Sequence, residues 1–189
     1  MITKSTSTAL TGAQRVALFS LTVTVAALTA LVDQATKATA IMELAPRGRV
    51  PLLGDLFGLQ LAFNPGTVMS LGADSTWVLT TISAIACAAL LIGATRARSK
   101  GWSTAIGFVL GGASGNLLDR FLAPPGGGNG HVIDFLAYGN LFIGNLADIF
   151  IGVGFGLGVL LYVRKHSAGR DRRVRVRPEP ASAAVGEPR

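Results

Sequence analysis

Residues 76–95 read TWVLTTISAIACAALLIGAT, twenty consecutive positions without a charged side chain. A helix needs about 20 mostly apolar residues to cross the hydrocarbon core of a bilayer. This stretch has that length, and Arg96, Arg98 and Lys100 close it. Working outward, three further blocks qualify by the same measure: 102–122, 15–33 and 141–163. The basic segment between the second and third blocks leaves room only for a tight turn. Pro124, Pro125 and Gly126–Gly128 break any helix after the third. Only 14% of the chain is charged, against about 25% in a soluble domain. The expected fold is an all-α integral membrane protein with four transmembrane helices in one domain, residues 1–163.

Orientation follows from the lysines and arginines, which cytoplasmic flanks retain. Lys4 and Arg15 precede the first span, the 96–100 cluster joins the second and third, and seven basic residues lie between Arg164 and Arg177. All fall on one side of a four-span chain, so both termini are expected in the cytoplasm. The opposite side holds residues 34–75, where Lys37, Arg47 and Arg49 are balanced by Glu43, Asp55 and Asp74. The +7 net charge is thus a matter of topology, and no nucleic-acid partner is expected. The first span resembles a cleavable leader, with Ala38-Thr39-Ala40 as a small-x-small site. Its apolar run exceeds the usual 7–15 residues or so and Asp33-Gln34 intervenes, so it is expected to be retained. Segment 50–63 is too short to span. Alternation at Leu59, Leu61 and Phe63 predicts a small extracytoplasmic β-hairpin or sheet lying on the membrane. Residues 164–189 are expected to be a disordered basic tail touching anionic lipid. Cys87 lies inside an apolar block, which excludes an intrachain disulfide and argues against thiol chemistry.

Of ten acidic residues, four lie within or at the outer end of a span: Asp33, Asp119, Asp134 and Asp148. A carboxylate at membrane depth costs roughly 2.5–3.5 kcal/mol at the centre, so such residues face a partner or water. The topology brings all four to one leaflet. Asp33 and Lys37 share a helix face, as do Asn116, Asp119 and Arg120, while Asn145 and Asp148 are three apart. Asp134 is expected in a loop just before the fourth span. Two carboxylates close together share one proton; the ionised one activates water while the other donates. Arg120 beside Asp119 is expected to keep it ionised, and Lys37 is within reach of Asp33. Asp134 and Asp148 have no sequence-local cation and are the better candidates for a pair.

Other chemistries fit less well. Gly112-Ala113-Ser114-Gly115 has a rhomboid-like pattern, but a serine nucleophile needs a base, and the only histidines are His131 and His166. Ser114 reads as a small residue for helix packing. His-Glu-x-x-His is absent, so no metal is expected. A proton-coupled transporter would place carboxylates near the midplane with a path to both faces. The glycines of the fourth span, 152, 154, 156 and 158, suit helix dimerisation or packing within one chain equally.

The same residues resemble the motif set of the lipoprotein signal peptidases (signal peptidase II), in family order. Val32-Asp33-Gln34-Ala35-Thr36-Lys37 is similar to the first motif, and Phe63-Asn64-Pro65-Gly66 followed by Ser70 to the second. Gly111-Gly112-Ala113-Ser114-Gly115-Asn116-Leu117-Leu118-Asp119-Arg120 is close to the third and the most specific. Val132-Ile133-Asp134-Phe135 matches the fourth, and Asn145-Leu146-Ala147-Asp148 the fifth. The resemblance implies an aspartic endopeptidase of the bacterial inner membrane, without cofactor or metal. It would cleave diacylglyceryl-modified prolipoproteins before the lipidated cysteine, with its site at the outer face. It implies Asp134 and Asp148 as the catalytic pair. Asn64, Gly66, Asn116, Arg120 and Asn145 would line the site, with Asp119, Asp33 and Lys37 in support. Prolipoproteins and membrane lipid are the implied partners, and a monomer is expected. Three departures stand out: Thr67-Val68-Met69 before Ser70, Gly144 before Asn145, and a long segment 123–130, read as a mobile flap or, in preference, a tolerated insertion.

Overall fold

The computed structural model describes residues 9–66 and 75–175, with side chains as far as residue 167. Lys4, residues 67–69, Ser70, Asp74 and the end of the basic tail, 176–189, lie outside the described residues.

Helix α1 (Gly12–Leu44) is opened by a capping box, in which Gln14 N donates to Thr11 Oγ1 and Thr11 N donates to Gln14 Oε1. Its 33 residues run well past the expected 15–33, so residues 34–44 are helix rather than outer loop. Nothing after Asp33 breaks the helix until Pro46, which bars the preceding residues from continuing. The buried positions Thr22, Ala26, Thr29, Asp33, Lys37, Ala40 and Leu44 recur every three or four residues, one stripe along the helix.

Helix α2 (Thr76–Ala94) and helix α4 (Leu146–Arg175) complete a set of three, with α1, that hold segments long and apolar enough to cross a membrane. Helix α3 (Lys100–Leu122) does not reach that apolarity, because glycine, serine, threonine and asparagine take up much of it. The reason is its place: α3 packs against α1, α2 and α4. A Cβ on Gly111 would lie 2.5 Å from Ala26 O on α1, and one on Gly112 would lie 2.5 Å from Ala147 O on α4. The glycines let two backbones close on α3 from opposite sides. Gly112→Ala is therefore expected to cost about 1–3 kcal/mol by overpacking. Thermal unfolding in detergent should show a lowered midpoint, while Gly156→Ala, whose Cβ meets nothing within 4 Å, should leave it unchanged.

The extracytoplasmic β-element expected at 50–63 has four strands instead of a hairpin alone. Strands β1 (Val50–Leu53), β2 (Phe57–Asn64), β3 (Val132–Tyr138) and β4 (Phe142–Gly144) form one antiparallel sheet in that order. Val132-Ile-Asp-Phe-Leu-Ala-Tyr138 is rich in β-branched and aromatic residues, and Gly139 takes φ 56° at the turn to β4. This corrects two expectations: Asp134 stands on a strand, not in a loop, and the fourth helix starts at Leu146, not 141. The far end of α4 differs too, with helix continuing from 164 to Arg175 where disorder is expected. The sheet rests on the end of α1 through Phe135, Ala40 and Leu44, with Leu59, Leu61 and Leu146 around them.

Segment 123–130 folds back over the end of α3. Gly128 N and Gly130 N both donate to Arg120 O, at 3.0 and 2.9 Å, and Gly127 N donates to Phe121 O at 3.2 Å. Thr80 Oγ1 on α2 donates to Gly128 O at 2.6 Å. The segment thereby supplies donors to carbonyls that a helix end leaves unpaired.

Candidate active site

Asp134 reaches the site from β3 and Asp148 from the first turn of α4. Asp134 is 3% exposed, whereas Asp148 is open to solvent. Asn145 joins them. Its Nδ2 donates to Asp134 Oδ1 at 2.6 Å, its Oδ1 accepts from Asp148 N at 3.1 Å, and its own N donates to Asp148 Oδ2 at 3.2 Å. The reciprocal pair with Asp148 is a helix-start arrangement, so the cap that begins α4 also spaces the two carboxyl groups.

Two more amides complete the setting. Asn64, at the end of β2, accepts from Gly66 N at 2.9 Å and donates from Nδ2 to Asp134 Oδ2 at 3.0 Å. Asn116 on α3 accepts from Lys37 Nζ at 2.8 Å and donates from Nδ2 to Asp148 Oδ1 at 3.2 Å. Backbone N–H and ammonium groups only donate, so each amide oxygen must face them and each NH₂ must face a carboxylate. Both oxygens of both aspartates thus receive one fixed donor.

Behind this layer Lys37 uses its three donors on Asp33 Oδ2 and Asp119 Oδ2, both at 2.7 Å, and on Asn116. All three charged side chains are within 1% of full burial. Asp33 Oδ1 also accepts from Ala147 N at 2.9 Å, and Asp119 Oδ2 accepts from Ile133 N at 3.2 Å. One buried cluster therefore ties α1, α3, β3 and the start of α4 together. Asp119 pairs with Lys37 rather than with Arg120, against expectation, because adjacent residues on a helix point in different directions. Arg120 instead donates to Gly66 O at 2.6 Å and Pro65 O at 3.3 Å, holding the exit of β2.

All ten candidate residues thus fall in one connected region. Sequence reasoning did not single out Gln34, whose Nε2 donates to Asp119 Oδ1 at 2.9 Å and Gly115 O at 3.1 Å, although it lies inside the first motif. It also missed Gly115, where a Cβ would collide with Asp33 Oδ2, and Thr76, which donates to Pro65 O at 2.7 Å. Ser114 Oγ meets Cys87 Sγ at 3.9 Å with no imidazole beside it among the described residues. Among those residues no three His, Cys, Asp or Glu side chains converge as metal ligands.

Burial pushes the Asp134 carboxyl up to about 6 from 3.8; the Asn64 and Asn145 donors oppose this, and the charge of Asp148 adds to it. A carboxyl whose folded pKa is raised stabilises the fold through its proton. That contribution is complete below about pH 4 and is lost as pH rises through about 6. Two pKa units correspond to about 3 kcal/mol at most. The unfolding midpoint of the wild type in detergent should decline as pH rises from about 4 to about 6, and Asp134→Asn should remove that step.

Comparison with known proteins adds an independent line. The family model for signal peptidase (SPase) II matches residues 25–164. The lipoprotein signal peptidase of Bifidobacterium longum subsp. infantis is 40% identical over 149 residues, 79% of this chain and 78% of that one. The lipoprotein signal peptidase of Leifsonia xyli subsp. xyli is 40% identical over 159 residues, 84% of this chain and 72% of that one. A bacterial membrane enzyme solved by the in meso method superimposes with a TM-score of 0.65 at 20% identity, covering 85% of this chain and 94% of that one. That likeness speaks to the fold.

Proposed function

The chain belongs to the signal peptidase II family of bacterial membrane proteases, and from that premise we propose an intramembrane aspartic endopeptidase in which Asp134 and Asp148 form the catalytic pair. Its substrates are prolipoproteins already carrying diacylglycerol, and it cuts the signal peptide just before the lipidated cysteine. The observation that carries the reading is Asn145, which bonds both carboxyl groups at once.

The buried Asp134 holds the shared proton and the open Asp148 is the base. Asp148 takes a proton from water as the oxygen attacks the scissile carbonyl carbon, while Asp134 gives its proton to the carbonyl oxygen. Collapse of the gem-diol returns that proton to Asp134, and the departing amine takes the one held by Asp148. Asn64, Asn116 and Asn145 hold the two groups in register, and no metal takes part. Arg120 fixes the backbone at Pro65 and Gly66 that frames the site.

In this reading α3 is the fourth membrane helix, its polar faces covered by α1 and α4. Both termini are cytoplasmic and the carboxylates sit at the outer surface, where a lipidated chain arrives sideways from the bilayer. The enzyme works as a monomer. The test is purified protein in detergent with a prolipoprotein, before and after diacylglyceryl transfer. Expected is cleavage of the lipidated form alone, unaffected by a chelator or by Ser114→Ala. Equal cleavage of unlipidated substrate, or loss with chelator, would overturn it.

A further inference from the structure

At the end of the bundle away from the carboxylates, a cavity of about 640 Å³ opens among Leu10, Arg15, Thr95, Arg96, Ala97 and Arg98. It lies where α1 and α3 begin and α2 ends. Along α3, the run from Lys100 to Asp119 separates it from the candidate site by roughly 30 Å, about the thickness of a hydrocarbon core.

Three features leave this cavity positive without a protein counter-charge among the described residues. Arg15, Arg96 and Arg98 are exposed, and none joins an ion pair among the described residues. Neither α1 nor α3 has an acidic residue in its first turn, although the N-terminal end of a helix dipole favours one. No Asp or Glu occurs anywhere in residues 1–32 or 75–118. Arg96 is well placed, just past the C-terminus of α2. Arg15 and Arg98 are not: they stand at helix starts, where a cation is disfavoured unless an anion lies close.

We propose that this cavity holds the phosphate headgroup of an anionic phospholipid from the leaflet opposite the carboxylate site. Guanidinium groups match phosphate oxygens two at a time, and the helix starts add to the same field. Part of the lining is apolar, with Ala9, Leu10 and Ala97 beside the arginines at the membrane boundary, which suits a headgroup continuous with acyl chains better than a free ion. A free phosphate shares the anionic chemistry but has no use for those residues.

The experiment uses the full chain, stripped of lipid in detergent, and the triple variant Arg15→Gln/Arg96→Gln/Arg98→Gln. Unfolding midpoints are read on adding phosphatidylglycerol, phosphatidylcholine or inorganic phosphate, and retained lipid is counted by native mass spectrometry. The wild type should gain several degrees with phosphatidylglycerol alone and retain it at least about tenfold more tightly than the variant. The basic tail is present in both proteins, so its own attraction for lipid cancels. An equal response in the triple variant, or an equal response to phosphatidylcholine, would overturn the proposal. A phosphate response matching that of the lipid would assign the cavity to a free anion and overturn the lipid. Prolipoprotein cleavage by the triple variant in detergent should equal the wild type, so this proposal and the assignment of the peptidase site fail separately.

Discussion

Asp134→Asn and Asp148→Asn each lower signal-peptide removal by about a thousandfold or more, while the protein stays folded. Positioned proton transfer contributes about 10²–10⁴ in rate, and in the proposed mechanism each group handles a proton twice in one turnover. An amide has nearly the shape of a carboxyl but neither accepts a proton from water at neutral pH nor returns one. The two variants differ in their neighbours. Asn at 134 must present its NH₂ to the amide of Asn64 or Asn145, both of which already donate there, so one clash of donors is unavoidable. Asn at 148 meets the same conflict with Asn116 Nδ2 or Asn145 N, but at an open position where water relieves it. Losses of similar size in both, with near-wild-type unfolding midpoints for Asp148→Asn, are expected from cleavage of lipidated prolipoprotein and thermal melts. Retained turnover in either variant would remove that aspartate from the chemistry. The double variant should lose little more than the worse single one, because groups acting as one unit are not additive.

How much of this was legible in the sequence depends on the distance over which each signal acts. The apolar blocks and the charge bias are local, and α1, α2 and α4 follow from them. Carboxylates converging at one end were legible because membrane depth makes each one costly. Strands β3 and β4 were not, since 132–138 looks like apolar chain leading into a helix until β2 is there to pair with it. The partner of Asp119 was likewise hidden. Sequence offered Arg120 next door, whereas the bond is made to Lys37 across two helices, and Gly111 and Gly115 are what let those helices approach. Gln34 stood inside a motif, yet its contacts with Gly115 and Asp119 lie some eighty residues further along the chain. The cavity among Arg15, Arg96 and Arg98 was visible only as topology; its shape needed the fold.

Lys37→Met is expected to damage both fold and catalysis, and the two effects can be parted. Lys37 is the cation shared by Asp33 and Asp119; removing it leaves two buried carboxylates facing one another. Breaking a buried pair by deleting one partner costs about 3–5 kcal/mol, so the variant should melt far below the wild type or fail to accumulate. Neutralising the carboxylates as well, in Lys37→Met/Asp33→Asn/Asp119→Asn, removes the unpaired charge and should restore most of the midpoint. Catalysis should not return with it. Without the ammonium, nothing that can only donate faces Asn116 Oδ1, so the amide is free to turn its oxygen towards Asp148. An oxygen there repels the carboxylate and displaces it from its place beside Asn145, so kcat should stay well below the wild type in the triple variant while KM changes little. A purely structural lysine predicts instead that recovered stability brings back the wild-type kcat. Melting curves and the separate kcat and KM values of the same three proteins decide between them, and Lys37→Met with wild-type stability and turnover would show the cluster to be dispensable.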